Sequence, residues 1–507
     1  MGELDKIFSL IYSVGSSGCP DFRILLGGRW VSLEKRIEVR SPINDALIAT
    51  VPNASDREAE QAVESSYNHR NTIRTVPAVE KIEIFQRTYE LLLQNKDSFV
   101  SILTLEAGKP LSNAEGEVKA TAERLKLTPE DYGKIRGEHI PGDWSEETVG
   151  TSADVLREPL GVVLAISPFN YPLYITATKV IPALLAGNSV VVKPSSQDPL
   201  AFLMFARILD VAGIPAGTLN VVTGRGPIGE YLAGHEKVNM LTFTGSTEVG
   251  RRLAGVAGIK KLHMELGGKG CAIILGDAEL DLAAEETVKG SLSYSGQRCD
   301  AISRVFVEQS VAGVFVNKIL KEAEAYKVGD PRDPTVKIGP LINRSAAERV
   351  NSLVNDAIDK GAKLLAGAKY EGNYYHPTIL CDVSLDAKIM WEETFGPVIP
   401  VVRVKDVDEA IDLANKSRYG LDSCVFTTNL NLARKAAKRL EEGEVTINAA
   451  PRHGVGYYPF GGNKDSGLGR EGIGYSIEEM TRLKTIVYNW RPARVWDDLM
   501  KKQSRPT

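Results

Sequence analysis

Two hydrophobic periods alternate along this chain. Residues 161–167 and 189–193 are almost unbroken apolar runs, and 218–222 and 240–244 are shorter runs of the same kind. An apolar run without alternation is buried on both faces, as in the centre of a parallel sheet. Between these runs the apolar residues return every three to four positions, clearly so over 200–211, which predicts helices. Strand–helix alternation with right-handed crossovers predicts a doubly wound α/β sheet. After Glu265-Leu266-Gly267-Gly268 the pattern starts again. Strands are predicted at 272–275, 304–308, 398–404, 423–427 and 444–447. Helices are predicted at 282–293, 311–325, 350–360, 407–414 and 430–439.

The N-terminal part reads differently. Residues 24–31 predict a hairpin turning at Gly27-Gly28, and 37–51 two strands around Ser41-Pro42-Ile43-Asn44-Asp45. Ser55 is placed to cap a helix running to about His69. Helices over 79–95, 97–107 and 114–127 follow, the last two separated by Gly108-Lys109-Pro110. Residues 133–155 are short-patterned, Gly-rich and mixed in charge. They predict strands leaving the main body. Residues 485–489 alternate like an edge strand that could pair with them in a subunit contact.

Composition narrows the function. The chain has 507 residues, enough for two or three domains, with 43% hydrophobic and 25% charged residues. A formal net charge of −4 gives no basic surplus for nucleic acid. The five cysteines (19, 271, 299, 381 and 424) include no CxxC pair, and the six histidines no HExxH. That argues against a disulfide framework or a zinc site, predicts no metal, and suits a reducing cytoplasm. Acids stand at the N-terminus where a secretion signal needs bases. The apolar region 161–192 is broken by Pro168, Pro172, Lys179 and Pro182, so no membrane span is expected.

The chemistry centres on Cys299, between a predicted helix and a predicted strand. Arg298 beside it is expected to favour the thiolate, although a lone cysteine is more often buried and inert. Glu265, ending a strand before two glycines, suits a general base; its plain alternative is a solvated side chain. Asn170, in Ser167-Pro168-Phe169-Asn170-Tyr171-Pro172, suits an oxyanion donor or an Asx turn. Thr244-Gly245-Ser246 opens a helix and offers free N–H groups to a pyrophosphate. Gly224-Arg225-Gly226 makes a weaker turn of the same kind. Lys193-Pro194-Ser195-Ser196 ends a strand at the carboxyl edge of the sheet, where ligands of open α/β sheets bind. Gly224-Arg225-Gly226-Pro227-Ile228-Gly229 has the G-x-G-x-x-G spacing, but neither turn is read as the standard dinucleotide fingerprint with its acid about 20 residues on.

Together the motifs carry a resemblance. Phe169-Asn170, Lys193-Pro194, Phe243-Thr244-Gly245-Ser246, Glu265-Leu266-Gly267-Gly268-Lys269, Gly296-Gln297-Arg298-Cys299 and Glu393-Thr394-Phe395-Gly396-Pro397 stand in the order seen in the aldehyde dehydrogenase superfamily. Pro459-Phe460-Gly461-Gly462 extends it. The resemblance implies a Rossmann-like doubly wound cofactor domain (1–133 and 157–266), a second α/β catalytic domain (267–480) and a small β oligomerisation arm (134–156 and 481–507). It implies Cys299 as nucleophile, Glu265 as base, and Asn170 with the Cys299 N–H as oxyanion hole. It implies a nicotinamide dinucleotide held by Lys193, Ser196, Gly226, Thr244, Gly245, Ser246, Gly267, Glu393 and Phe395.

Within the superfamily the chain is similar to non-phosphorylating glyceraldehyde-3-phosphate dehydrogenases, through Ser295-Gly296-Gln297-Arg298-Cys299, the 167–173 loop and Pro451-Arg452-His453-Gly454. That implies oxidation of glyceraldehyde 3-phosphate to 3-phosphoglycerate through a cysteine thiohemiacetal and thioester, with Arg298, Arg452, Arg124 and Tyr171 at the substrate. Arg124 stands one turn from the arginine some relatives carry on this helix. Another small anionic aldehyde, such as succinate semialdehyde, is the alternative, and a non-enzymatic binding member a more distant one. Ser196 replaces the glutamate that repels a 2′-phosphate in many NAD-preferring relatives, which implies NADP preferred and NAD usable. The arm implies a homo-oligomer, a dimer of dimers.

Overall fold

The unbroken apolar runs form the middle of a parallel sheet. In the computed structural model, which describes residues 6–14, 18–453 and 456–490, strands Leu219–Val221, Ser189–Lys193, Val162–Ile166, Met240–Thr244 and Lys261–Glu265 lie side by side in that order. Every residue of the Val162–Ile166 and Ser189–Lys193 strands is buried. From Val162–Ile166 the chain winds first one way and then, at Met240–Thr244, the other. Ligand crevices of open α/β sheets lie at the carboxyl ends of strands at such a reversal. Ser167–Asn170 and Thr244–Ser246 both leave the sheet there.

The second sheet has the order Lys363–Ala366, Thr378–Cys381, Val398–Val404, Arg304–Glu308, Cys271–Ile274, Asp422–Phe426, Glu444–Ile447, antiparallel only at its first pair. Cys271 and Ile273 pack into one core and Ala272 and Ile274 into another, as a strand's alternating side chains require. Gly267 and Gly268 carry the chain from the carboxyl end of the first sheet to the amino end of the second.

Three expectations change. The first helix is Asp56–Thr75, longer than predicted; nothing breaks the period before Val76-Pro77, where proline ends it. Ser55 does begin it, with Glu58 accepting from the Ser55 N–H (2.8 Å). A five-residue helix, Thr128–Tyr132, was not foreseen. The segment near 467–480, expected in the second unit, returns to the first. Gly467–Leu468 pairs antiparallel with Lys261–Glu265, and Ile477 and Met480 join the first core.

The excursion forms Glu138–Pro141 and Thr151–Pro159, and Thr481–Asn489 pairs with the latter over nine positions. The predicted strand was about half that length. Residues 491–507, assigned to the arm, lie outside the described residues. Among the described residues no helix is long and apolar enough to cross a membrane.

Candidate active site

Cys299 follows a strained turn. Helix Leu280–Leu292 ends, and Tyr294 and Ser295 then take left-handed backbone angles (φ 50° and 56°). Such angles cost an L-residue about 1–3 kcal/mol each and persist only where the surroundings hold them. Here Tyr294 Oη donates to Ala107 O (3.0 Å) and Ser295 Oγ to Gly339 O (2.9 Å). Gln297 donates to Pro340 O (3.3 Å) and accepts from the Ile342 N–H (2.8 Å). Gly296 continues the turn at φ 70°, and a β-carbon there would lie 2.3 Å from Gly396 O. Gly268 is needed for contact: a β-carbon would lie 2.2 Å from Cys299 O.

Two cavities meet at Cys299, which is the one lining residue they share. The larger, about 1170 Å³, is lined by Asn170, Lys193, Ser196, Thr244, Gly245, Ser246, Glu393 and Phe395 among others. The smaller, about 270 Å³, is lined by Tyr171, Arg298, Arg452, Asp300, Glu117 and His453 among others. Twelve of the sixteen residues singled out from the sequence therefore line one wall or the other, Cys299 lining both.

The other four do not. Gly226 opens the helix Gly226–Gly234 and lines neither cavity. Gly267 lies behind the wall, its N–H donating to Thr247 Oγ1 (3.4 Å). Arg124 is buried in an ion pair with buried Asp131. The position one turn earlier, Ala120, faces the small cavity instead. Glu265 is buried, and neither of its oxygens accepts a hydrogen bond. His263 Nε2 stands 3.5 Å from its Oε1.

Charge at the site departs from the expectation of a ready thiolate. Burial holds the Cys299 thiol well above the ordinary range, and Asp300, Asp422 and Glu265 push the same way; Arg298 opposes them and loses. The reason is geometric. Arg298 already donates to both carboxylate oxygens of Asp300 (3.0 and 2.7 Å). Arg452 likewise donates to both oxygens of Glu286 (3.1 Å each). Burial raises Glu265, so its carboxyl holds a proton above the usual range. Burial also lowers Lys193, to about 8. Cys271 is a different case: it is fully buried in its strand, its thiol bonded to Ser423 Oγ (3.3 Å), and it lines neither cavity.

Sequence reasoning missed several groups. Arg349 donates to Glu393 O (2.7 Å) and Thr394 O (2.8 Å), and Lys269 to Thr394 Oγ1 (2.6 Å). These bonds hold the loop in which Phe395 takes φ 49°. Gly268 N–H donates to the Glu393 carboxylate (3.1 Å). Phe395 meets Phe169 edge-on, their ring centres 5.9 Å apart. Asp300 and His453 carried a signal, as chain neighbours of Cys299 and Arg452. Arg349 carried none.

Residues 30–486 match the family model described as "Aldehyde dehydrogenase family". The chain belongs to this family. This aldehyde dehydrogenase is 40% identical over 470 residues to the NADP-dependent glyceraldehyde-3-phosphate dehydrogenase of Streptococcus equinus, covering 92% of this chain and 98% of that one. It is 39% identical over 471 residues to the lactaldehyde dehydrogenase of Methanococcus aeolicus, covering 92% and 100%. The crystal structure of the NADP-dependent glyceraldehyde-3-phosphate dehydrogenase of Bacillus halodurans, complexed with NADP, superposes with a TM-score of 0.91 at 41% identity, covering 92% of this chain and 99% of that one. The protein is an NAD(P)-dependent aldehyde dehydrogenase with the family's fold, closely related to the non-phosphorylating glyceraldehyde-3-phosphate dehydrogenases.

Proposed function

We propose that this aldehyde dehydrogenase oxidises glyceraldehyde 3-phosphate to 3-phosphoglycerate, with NADP the preferred acceptor and NAD usable. The observation that carries the reading is Cys299 standing where a dinucleotide-sized cavity meets a small one lined by Arg298, Arg452 and His453. The large cavity fits a dinucleotide. Ser246 caps helix Thr247–Ala257, whose N-terminal N–H groups suit a pyrophosphate. Lys193, Ser195 and Ser196 line the same cavity, and none of residues 195–197 is an acid that would repel a 2′-phosphate. Glu393 and Phe395 are the candidates for the nicotinamide half.

Cys299 gives up its thiol proton to solvent as Sγ adds to the aldehyde carbon, and the Asn170 amide with the Cys299 N–H stabilises the oxyanion. The bound nicotinamide supplies the hydride acceptor. Glu265 then takes a proton from water, which attacks the thioester and releases the acid. In the buried position described above, Glu265 must swing toward the cavities to do so. Gly267 and Gly268 beside it permit that movement.

One observation favours a second reading, a small aldehyde without phosphate such as lactaldehyde. Both cavity arginines are already paired, and the wall position one turn before Arg124 is Ala120. The test is kcat/KM for glyceraldehyde 3-phosphate, succinate semialdehyde and lactaldehyde, each with NADP and NAD and without inorganic phosphate. The proposal expects glyceraldehyde 3-phosphate with NADP to lead; a lead for lactaldehyde supports the second reading. The β arm, with Glu138–Pro141 as an exposed edge strand, supports a homo-oligomer. Five cysteines without a disulfide among the described residues suit the cytoplasm.

A further inference from the structure

We propose that the imidazolium of His453 is the cation that admits an anionic aldehyde to Cys299, the two cavity arginines being neutralised by acids of their own. The inference rests on the reading of an anionic substrate and names the residue that reads the charge.

The argument is one of charge balance. Arg298 is tied to Asp300 and Arg452 to Glu286. Glu117, on the same wall, is paired with buried Lys109 and accepts the N–H groups of Leu173 and Tyr174 (3.0 Å each). Each of these pairs sums to zero. His453 differs. It lines the cavity, its ring lies 4.2 Å from the Phe460 ring and edge-on to Tyr174 at 5.6 Å, and neither nitrogen makes a hydrogen bond. The imidazole is fixed between two aromatic rings with Nε2 turned to Glu471 (3.5 Å) and Nδ1 without a partner, which leaves Nδ1 for a ligand.

The groups facing His453 make the proton stay. Glu471 Oε2 lies 3.5 Å from Nε2. Asp300, Glu265 and Glu444 add negative potential. Against them stand Arg298 and Arg452 on the wall, and Lys179, which shares Glu471 with His453 and with His263 (3.6 Å). Burial alone would lower the imidazole, but the acids outweigh it and the group is raised. The sign follows. The cavity carries an additional positive charge below this raised value and loses it as pH rises through it. Affinity for an anionic aldehyde falls over that interval, and affinity for a neutral one does not.

The test compares KM and kcat against pH for succinate semialdehyde and lactaldehyde, in the wild type, His453→Gln and His453→Arg. Succinate semialdehyde is the probe because its carboxylate stays ionised where a phosphate monoester would itself titrate. In the wild type its KM should rise about tenfold or more across the His453 titration, while that of lactaldehyde stays level. His453→Gln should show the high KM at every pH with kcat at saturation largely kept. His453→Arg should keep the low KM to high pH. A level KM for succinate semialdehyde in the wild type overturns the proposal, with no variant needed. So does a pH dependence that persists in His453→Gln. A wild type that favours lactaldehyde at every pH overturns the anionic-substrate reading as well, which separates the two failures.

Discussion

At Cys299 burial and three carboxylates outweigh one guanidinium, so the resting thiol keeps its proton. Asp300 acts twice, through its own charge and by occupying Arg298. Asp300→Asn should therefore lower the thiol pKa and raise the rate of Cys299 alkylation by iodoacetamide at neutral pH. In the wild type that rate should still be climbing above the ordinary cysteine range. Unchanged alkylation in the variant would show that Asp300 does not govern the thiol. Lys193 makes a second residue-level prediction. Burial lowers it to about 8, so its charge is present below that pH and lost above it. NADP affinity should fall relative to NAD as pH rises past this value. Ser196→Glu should weaken NADP strongly and spare NAD; titration of both nucleotides by fluorescence quenching checks each point.

At the scale of elements, what was legible in the sequence was local. The unbroken apolar runs announced buried parallel strands, and most helix boundaries followed from prolines, glycines and caps; the end of Asp56–Thr75 and the start of Arg344–Asp359 were missed. Cys299, Asn170, Lys193, Thr244–Ser246 and Glu393 were legible because each sits in a short motif at a strand end or turn. What was hidden is set by partners distant in the chain. Gly467–Leu468 is too short to carry a period and joins the first sheet only through Lys261–Glu265. Arg298 looked free because its competitor, Asp300, shows itself only when the turn brings both carboxylate oxygens within reach. Arg349 lies on the exterior of helix Arg344–Asp359 with nothing in the sequence to mark it. Its two bonds to the 393–394 carbonyls brace the strained loop at Phe395. Hydrogen bonds to a charged group contribute about 1.5–3 kcal/mol each. Arg349→Ala should raise the nucleotide KM about tenfold or more and lower the melting temperature by only a few degrees. A large loss of thermal stability with normal KM would contradict this role.

For the whole molecule, the site is a seam: the carboxyl edge of one sheet faces the amino edge of another, and each side supplies one cavity wall. Arg124 shows why position on an element is not enough. It occupies the helix expected to face substrate, yet serves cohesion. Its partner Asp131 also accepts the Gly474 N–H (2.6 Å) and so ties the N-terminal helices to the C-terminal segment. Removing one partner of a buried pair costs about 3–5 kcal/mol. Arg124→Ala should lower unfolding free energy by that order in urea while KM for the aldehyde stays within about twofold, because Arg124 itself lines neither cavity. A selective rise in KM with unchanged stability would return Arg124 to the substrate. The most direct test of the whole account is the site of the covalent intermediate. Glu265→Gln should stall after hydride transfer, so acid quenching with NADP and glyceraldehyde 3-phosphate should leave one 3-phosphoglyceroyl adduct per chain. Peptide mass spectrometry should find it on Cys299. An adduct on Cys271, or reduced nucleotide formed with no adduct, would contradict the assignment of Cys299 at the meeting of the two cavities.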